Sequence, residues 1–347
     1  MQRIDNLLKS EQLLLTTPSK IFSSLIGDMQ RARKTIDMEF YIFEDDNVGR
    51  SVARLLVRKA HQGVRVRLLV DGYGSRNMGR EMKRMLVNNG VEVVIFSSLS
   101  HSRNHRKMVI VDGCVAHVGG VNIADRYVAG NGLGVWYDVE LRFTGKDVET
   151  LAKLFQFDYL MTKGDNYGVD VARGKRLSLH WSEAEEGIDM LFERVVDGAH
   201  NELIITTPYL FPTRRTISLL RDVVKRGVRV TIIAPERCDV WALDRLMRAM
   251  YGEIMDVGVE LRLLRGAFVH AKMAIVDGHK VVLGSANLDA RSFHINRELM
   301  LSTSDRGVCR EARRFVAMLL DASTPPHDDE RTTKVPRFVV GLLRSYL

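Results

Sequence analysis

Residues 105–122 read HRKMVIVDGCVAHVGGVN, and residues 270–287 read HAKMAIVDGHKVVLGSAN. Four polar residues fall at the same offsets in both: His105, Lys107, Asp112 and Asn122 in the first, His270, Lys272, Asp277 and Asn287 in the second. The agreement continues outward. AHQGVRVRLLV (60–70) is matched by VKRGVRVTIIA (224–234), NGVEVVIF (89–96) by VGVELRLL (257–264), and TIDMEFYIF (35–43) by ELIITTPYLF (202–211). Most of the chain is therefore a duplication with a period of about 165 residues, which must be recognised before any fold is read from it.

Within each copy the pattern is a helix closed by glycine, then a β-branched apolar run short enough to be a buried strand. Alternating strands and helices predict an α/β layer in each half, with helices on both faces of the sheet. The repeats run from about Ser19 to Phe157 and from about Glu183 to Leu320. The polar stretch Thr162–Gly174 reads as the connection. This sets a first lobe at 1–165 and a second at 175–347.

Composition limits the rest. The 347 residues are 46% hydrophobic and 27% charged, which excludes a disordered chain. A formal charge of +8 favours partners rich in phosphate, whether lipid headgroups, nucleic acid or small anions. Cys114, Cys238 and Cys309 are few and scattered, so neither a disulfide framework nor a thiolate metal site is expected. No apolar run approaches the roughly 18 residues of a membrane span, so a soluble or peripherally attached protein is expected.

After each histidine the residues alternate. His105, Lys107, Val109 and Val111 share one side of a strand, and so do His270, Lys272, Ala274 and Val276. A histidine and a lysine two apart on one side sit about 7 Å apart along the backbone. That spacing suits a phosphoryl group: imidazole attacks or protonates while ammonium neutralises an oxygen. Asp112 and Asp277 complete the repeated set. Alternation sends them to the opposite face, however, where a following glycine marks a turn, so they read as turn-fixing groups or indirect contacts. GGVN (119–122) and GSAN (284–287) read as tight turns whose asparagine amide can donate to a phosphate oxygen. A lone histidine at a strand start is as easily structural as chemical. Retention of all four polar types in both copies favours chemistry, because a structural duplication needs only the apolar pattern. A metal site is not expected, since each lysine would repel a cation and no carboxylate cluster lies nearby.

The two strings resemble the paired HxKxxxxD motifs of the phospholipase D superfamily, at 105–112 and 270–277. The likeness extends through DMEFYIFEDDNVGRSVARLL, LLVDGYGS, GGVNIADRY, WYDVELRFTG, TTPYLFPT and GSANLDARSFHINRELML, covers nearly the whole chain, and is greatest to bacterial cardiolipin synthases. It implies two pseudo-symmetric α/β/α sandwich lobes with both His-Lys pairs in one cleft at their interface, and catalysis by His105, Lys107, Asp112, His270, Lys272 and Asp277. It further implies a covalent phosphohistidine on His105, with His270 as general acid and then base, and no cofactor or metal. Lys107, Lys272, Asn122 and Asn287 would hold the phosphate oxygens, and Asp138 and Glu298 would orient the imidazoles. The substrate would be phosphatidylglycerol, as both donor and acceptor of the phosphatidyl group, with glycerol released.

Many members of that group carry two N-terminal transmembrane helices that this sequence does not show. The resemblance therefore implies peripheral attachment to an anionic membrane, at the cytoplasmic face. The basic amphipathic tail KVPRFVVGLLRSYL (334–347) and the segment WALDRLMRAMY (241–251) are candidates for contact, each with a plainer reading as a helix packed on the second lobe. Three alternatives stay open: a lipid hydrolase that admits water, a metal-independent nuclease, and a phosphate-binding module without turnover. The low aromatic content, 7%, and the absence of a basic stripe interleaved with aromatics do not favour nucleic acid.

Overall fold

The structure is a computed structural model that describes residues 10–97, 101–164, 177–183, 187–331, 335 and 337–344. Its frame is two mixed sheets. In the first, the order across the sheet is Gln12–Leu15, Glu140–Thr144, Val115–Gly119, Met108–Val111, Thr35–Phe40, Arg65–Asp71 and Val91–Phe96. In the second it is Leu177–Trp181, Leu299–Thr303, Lys280–Gly284, Lys272–Val276, Glu202–Thr206, Arg229–Pro235 and Glu260–Leu264, with Ser323–Thr324 added at the far edge. Seven strands thus recur in the same spatial order, and each duplicated segment lands on its counterpart.

Each sheet has a parallel half and an antiparallel half. Thr35–Phe40, Arg65–Asp71 and Val91–Phe96 run parallel through the crossover helices Asn47–His61 and Arg80–Asn88. The return to Met108–Val111 is antiparallel, followed by a hairpin to Val115–Gly119. The second lobe repeats this with helices Arg214–Lys225 and Trp241–Asp256. Strands in such a sheet are apolar on both faces. Val109 and Val111 pack outward with Ile21, Leu25, Leu55 and Leu56 of the outer helices. Met108 and Ile110 face inward.

The inward faces share one core. Met108 and Ile110 meet the same cluster as Met273, Ile275 and Leu283, together with Leu154 and Phe155 of helix Asp147–Lys163 and Ala312 and Phe315 of helix Arg306–Asp321. Helix Arg306–Asp321 of the second lobe packs on strand Gln12–Leu15 of the first. The lobes are therefore halves of one body, with their central core in common.

The connection expected across Thr162–Gly174 lies outside the described residues beyond Gly164, as do Lys334 and Tyr346 of the C-terminal tail. Helix Trp241–Asp256 buries Leu246, Met247, Met250, Tyr251 and Ile254, so its core-facing reading holds.

Asp112 and Asp277 close the hairpin strands with left-handed backbone (φ 52° and 48°), a conformation aspartate tolerates. The Asp112 carboxylate accepts backbone N–H bonds from Arg33 (2.9 Å), Lys34 (2.6 Å) and Thr35 (2.9 Å). Asp277 takes the same bonds from His200 (3.0 Å), Asn201 (2.7 Å) and Glu202 (2.8 Å). Each aspartate thus ties the start of the central parallel strand to the end of its neighbour. Their place in the catalytic set is corrected on this ground: the carboxylates are spent on backbone at the end of the strand away from the histidines. Burial would raise the Asp112 carboxyl, but these N–H donors hold it below the usual carboxylate value. The sign follows: the clamp stabilises the fold above the unfolded-state pKa of about 4 and is lost as pH falls through the depressed value. Asp112→Ala is expected to cost about 2 kcal/mol in urea unfolding at pH 7 and Asp112→Asn less, with the difference from wild type shrinking at low pH.

Candidate active site

The two histidines stand just before the central antiparallel strands, and each is pinned by the opposite lobe. The amide of His270 donates to Tyr137 O at 2.7 Å, where Phe268–Val269 pairs in parallel with Trp136–Tyr137. The amide of His105 donates to Arg297 O at 2.9 Å, beside a parallel bridge from Asn104 to Arg297. The same cross-lobe device thus recurs at both places.

The side chains follow the backbone. His105 Nδ1 lies 3.0 and 2.9 Å from the two carboxylate oxygens of Glu298, and His270 Nδ1 lies 2.6 Å from Asp138 Oδ2. Each imidazole is therefore oriented by the carboxylate of the other lobe. With the carboxylate facing Nδ1, the Nδ1–H tautomer is selected and the Nε2 lone pair is left for chemistry. Glu298 is fully buried and also accepts from Ser285 Oγ at 2.5 Å. The first lobe has Gly120 at the place of Ser285, and a Cβ there would lie 2.4 Å from Asp138 Oδ1.

Both lysines reach back to their histidines. Lys107 Nζ donates to the His105 carbonyl, and Lys272 Nζ lies 2.7 Å from the His270 carbonyl. Lys272 Nζ is also 3.0 and 2.9 Å from the two ring nitrogens of His270. Near-equal distances to both ring nitrogens place this ammonium over the face of the imidazole, outside the plane of the Nε2 lone pair. Among the described residues nothing bonds to Nε2 of His105.

Both lysines are buried with Glu298 and Asp138 as the nearby anions, and burial dominates the proton affinities of the site. Burial lowers His105 to about 4, opposed by Glu298 and reinforced by Lys107. Burial and the charge of Lys272 lower His270 to about 3 against the pull of Asp138. Burial lowers Lys272 to about 8, and drives Lys107 well below its ordinary value despite Glu298. Lys272 also acts on His105, and Lys107 on His270. The four groups and the two carboxylates that orient the histidines form one coupled electrostatic site.

The two asparagines differ. Asn122 is buried: its Oδ1 accepts from the Ile42 amide (3.0 Å) and one N–H of Nδ2 donates to the Tyr127 hydroxyl (2.7 Å). The chain beyond it runs beside residues 42–44, so backbone meets the amide before the cleft does. Asn122 thus anchors the turn with its oxygen and one of its two N–H donors. Asn287 stands next to Lys272 in a cleft wall, and its Oδ1 has no partner among the described residues.

Several residues around the histidines were not singled out in the sequence. Trp136 stacks on His270 (centroids 5.4 Å apart), Tyr127 meets that ring edge-on at 5.2 Å, and Tyr41 does the same to His105 at 4.9 Å. Behind His105, Asn104 donates to Glu39 at 2.7 Å, and Arg106, fully buried, pairs with Asp158 and Glu183. Arg297 joins the same carboxylates at 3.0 Å each. A signal existed for Arg106: it occupies the motif position where the second copy has Ala271. The partners are distant in sequence and carried none.

No three His, Cys, Asp or Glu side chains among the described residues are grouped to hold a metal ion.

The family model described as cardiolipin synthase, PLD-like domain matches residues 25–141 and 193–319, one match in each lobe. The chain is 31% identical over 318 residues to a cardiolipin synthase of Geobacillus kaustophilus, covering 84% of this chain and 62% of that one. It is 32% identical over 317 residues to a cardiolipin synthase of Alkalihalophilus pseudofirmus, with the same coverage. The chain thus spans less than two thirds of these relatives' length. In structure it is similar to phosphatidylserine synthase from Haemophilus influenzae (TM-score 0.76, 16% identity, 99% and 96% of the two chains). It is also similar to polyphosphate kinase from Porphyromonas gingivalis (TM-score 0.68, 15% identity, 93% and 49%). These structural likenesses concern the fold, and the matched motifs fall on the two crossed His-carboxylate pairs. The chain belongs to the phospholipase D-like domain family of the cardiolipin synthases.

Proposed function

We propose that the protein is a phosphatidyltransferase that makes cardiolipin from two molecules of phosphatidylglycerol, each lobe (1–165 and 175–347) supplying half of the site. The observation that carries this reading is the convergence of two carboxylate-oriented histidines and two buried lysines in one site. The oxygens of a phosphodiester are natural partners of both ammonium groups.

The bare Nε2 of His105 supports its role as nucleophile. It attacks phosphorus as the bond to the leaving glycerol oxygen breaks, giving a phosphohistidine. The Lys272 ammonium lies over the His270 ring. When the diester draws that ammonium to a phosphate oxygen, the largest cationic influence on His270 is relieved. His270 can then carry the proton it gives to the departing glycerol oxygen. In the second half, His270 takes the proton from the glycerol hydroxyl of a second phosphatidylglycerol. That oxygen attacks phosphorus, and the P–N bond breaks. The aromatic rings of Trp136, Tyr127 and Tyr41 limit the access of water, which would divert the intermediate to phosphatidic acid. A lysine beside each histidine supports chemistry without a metal.

Peripheral attachment to an anionic bilayer is the second part of the proposal. Helix Arg337–Leu343 turns Val340 and Leu343 onto the second lobe's core, while Phe338 and Leu342 stand 76% and 70% exposed. Trp241, at the start of its helix, is 72% exposed with Arg245 over its ring at 4.8 Å. Both candidate segments therefore pack by one face and present large apolar groups by the other. No helix among the described residues is long and apolar enough to cross a membrane.

Three outcomes are expected. Phosphatidylglycerol vesicles incubated with the protein and EDTA should yield cardiolipin and glycerol by mass spectrometry. Phosphatidic acid alone would make the protein a hydrolase, and turnover only with added divalent metal would overturn the mechanism. His105→Ala should lower turnover at least about a thousand-fold and abolish the acid-labile phospho-enzyme, whereas an adduct lost only in His270→Ala would reverse the roles. kcat/KM should decline as pH rises through about 8, where Lys272 loses its proton, and as it falls toward about 4, where His105 gains one. A flat profile between pH 6 and 10 would remove Lys272 from phosphate binding.

A further inference from the structure

The two histidine segments are supported differently. Asn104 precedes His105 where Val269 precedes His270, and Glu39 stands opposite Met108 where Thr206 stands opposite Met273. In the second lobe the support is apolar. Val269 is fully buried in the shared core, and with Phe268 it makes a two-residue parallel pairing to Trp136 and Tyr137. The first lobe has a single bridge from Asn104 to Arg297, with polar groups behind it. Asn104 is 1% exposed and Glu39 is 0% exposed. The Asn104 amide donates to Asp71 Oδ2 at 2.9 Å, its Nδ2 donates to Glu39 Oε1 at 2.7 Å, and its Oδ1 accepts from the Arg106 amide at 3.4 Å. The last bond closes a ring around the His105 backbone, the turn an asparagine side chain makes with the amide two residues on. With Oδ1 facing that amide, Nδ2 needs an acceptor on its other side, and Glu39 supplies it. The second carboxyl oxygen of Glu39 has no partner among the described residues. Burial and the charge of Asp158 raise the Glu39 carboxyl well above its ordinary value, against Arg106 and Arg297.

We infer that Asn104 and Glu39 are a positioning pair for His105: the Asn104 turn sets the backbone from which the imidazole reaches Glu298, and Glu39 fixes the amide orientation that makes the turn. The inference rests on the phosphatidyl-transfer reading above, in which His105 is the nucleophile. Stability does not call for the pair. Apolar groups of the same shape are about as stable as a buried polar pair, and the second lobe uses Val269 at this place. What a hydrogen bond adds is direction, which apolar packing lacks. Direction matters most for the atom that must meet phosphorus, where a displacement of about 1 Å costs about a hundred-fold in rate. The turn is also tied to the carboxylate it must serve. Arg106, whose amide closes the ring, donates from its Nε to the Glu298 carbonyl at 3.2 Å. Asn104 therefore links the backbone of the imidazole to the segment that carries its partner.

The test is the single-turnover rate of phosphohistidine formation on phosphatidylglycerol in detergent micelles, followed by rapid quench and set beside the thermal unfolding midpoint. The proteins are wild type, Glu39→Gln, Glu39→Met, Asn104→Val and the double variant Glu39→Met with Asn104→Val. Glu39→Met and Asn104→Val should each lower the rate about a hundred-fold. Glu39→Gln, which restores an acceptor for Asn104, should return it to within about three-fold of wild type. The double variant should be no slower than the slower single variant, since both act through one contact. Its midpoint should rise above that of Glu39→Met, because the stranded Asn104 donor is gone, while its rate stays low. That divergence separates positioning from a structural role, and it keeps the test decisive if Glu39→Met does not fold. Single variants at the wild-type rate, a double variant whose rate recovers with its midpoint, or Glu39→Gln as slow as Glu39→Met would overturn the pair. Wild type that forms no adduct and turns over no phosphatidylglycerol would instead remove the functional reading beneath it.

Discussion

The arrangement on which this structure depends is the exchange of carboxylates between lobes. Glu298 of the second holds His105 of the first, and Asp138 of the first holds His270 of the second. A buried carboxylate is costly without a partner, and so is an imidazole with an unmet N–H. Each lobe alone would expose one of each at its inner surface. Docking satisfies both pairs at once, and the parallel pairing of Phe268–Val269 with Trp136–Tyr137 sets the depth at which they meet. The shared apolar core supplies the driving force, and the crossed pairs set the register.

The site formed in this way is held in a state suited to anions. Burial and mutual repulsion keep both histidines neutral at physiological pH and bring the lysines toward deprotonation. Behind His105, Arg106 and Arg297 pair with Asp158 and Glu183.

Pseudo-symmetry is kept where the chemistry needs two equivalent groups and lost where it needs a difference. Strand order, the aspartate clamps and the His-Lys pairs are duplicated. Ser285 faces Gly120, Arg106 faces Ala271, and Thr206 and Val269 face Glu39 and Asn104. Lys272 lies over its imidazole and Lys107 does not.

Much of this was legible in the chain itself. Period-two alternation and glycine-closed helices determined the strands, because local geometry obeys local pattern. The repeat determined that there are two lobes of the same order, and the polar residues retained in both copies pointed to the His-Lys pairs. Alternation also placed Asp112 and Asp277 on the side away from the chemistry. The tertiary structure decided what depends on residues far apart: that each carboxylate serves the opposite lobe, that Asn122 meets Ile42 and Tyr127, and that Arg106 finds Asp158 and Glu183. It also decided that Asn104 meets Glu39 beside one histidine where Val269 is packed in the core beside the other. A linear pattern encodes which face a side chain takes within its element, whereas the partner it meets is set by how two sheets dock.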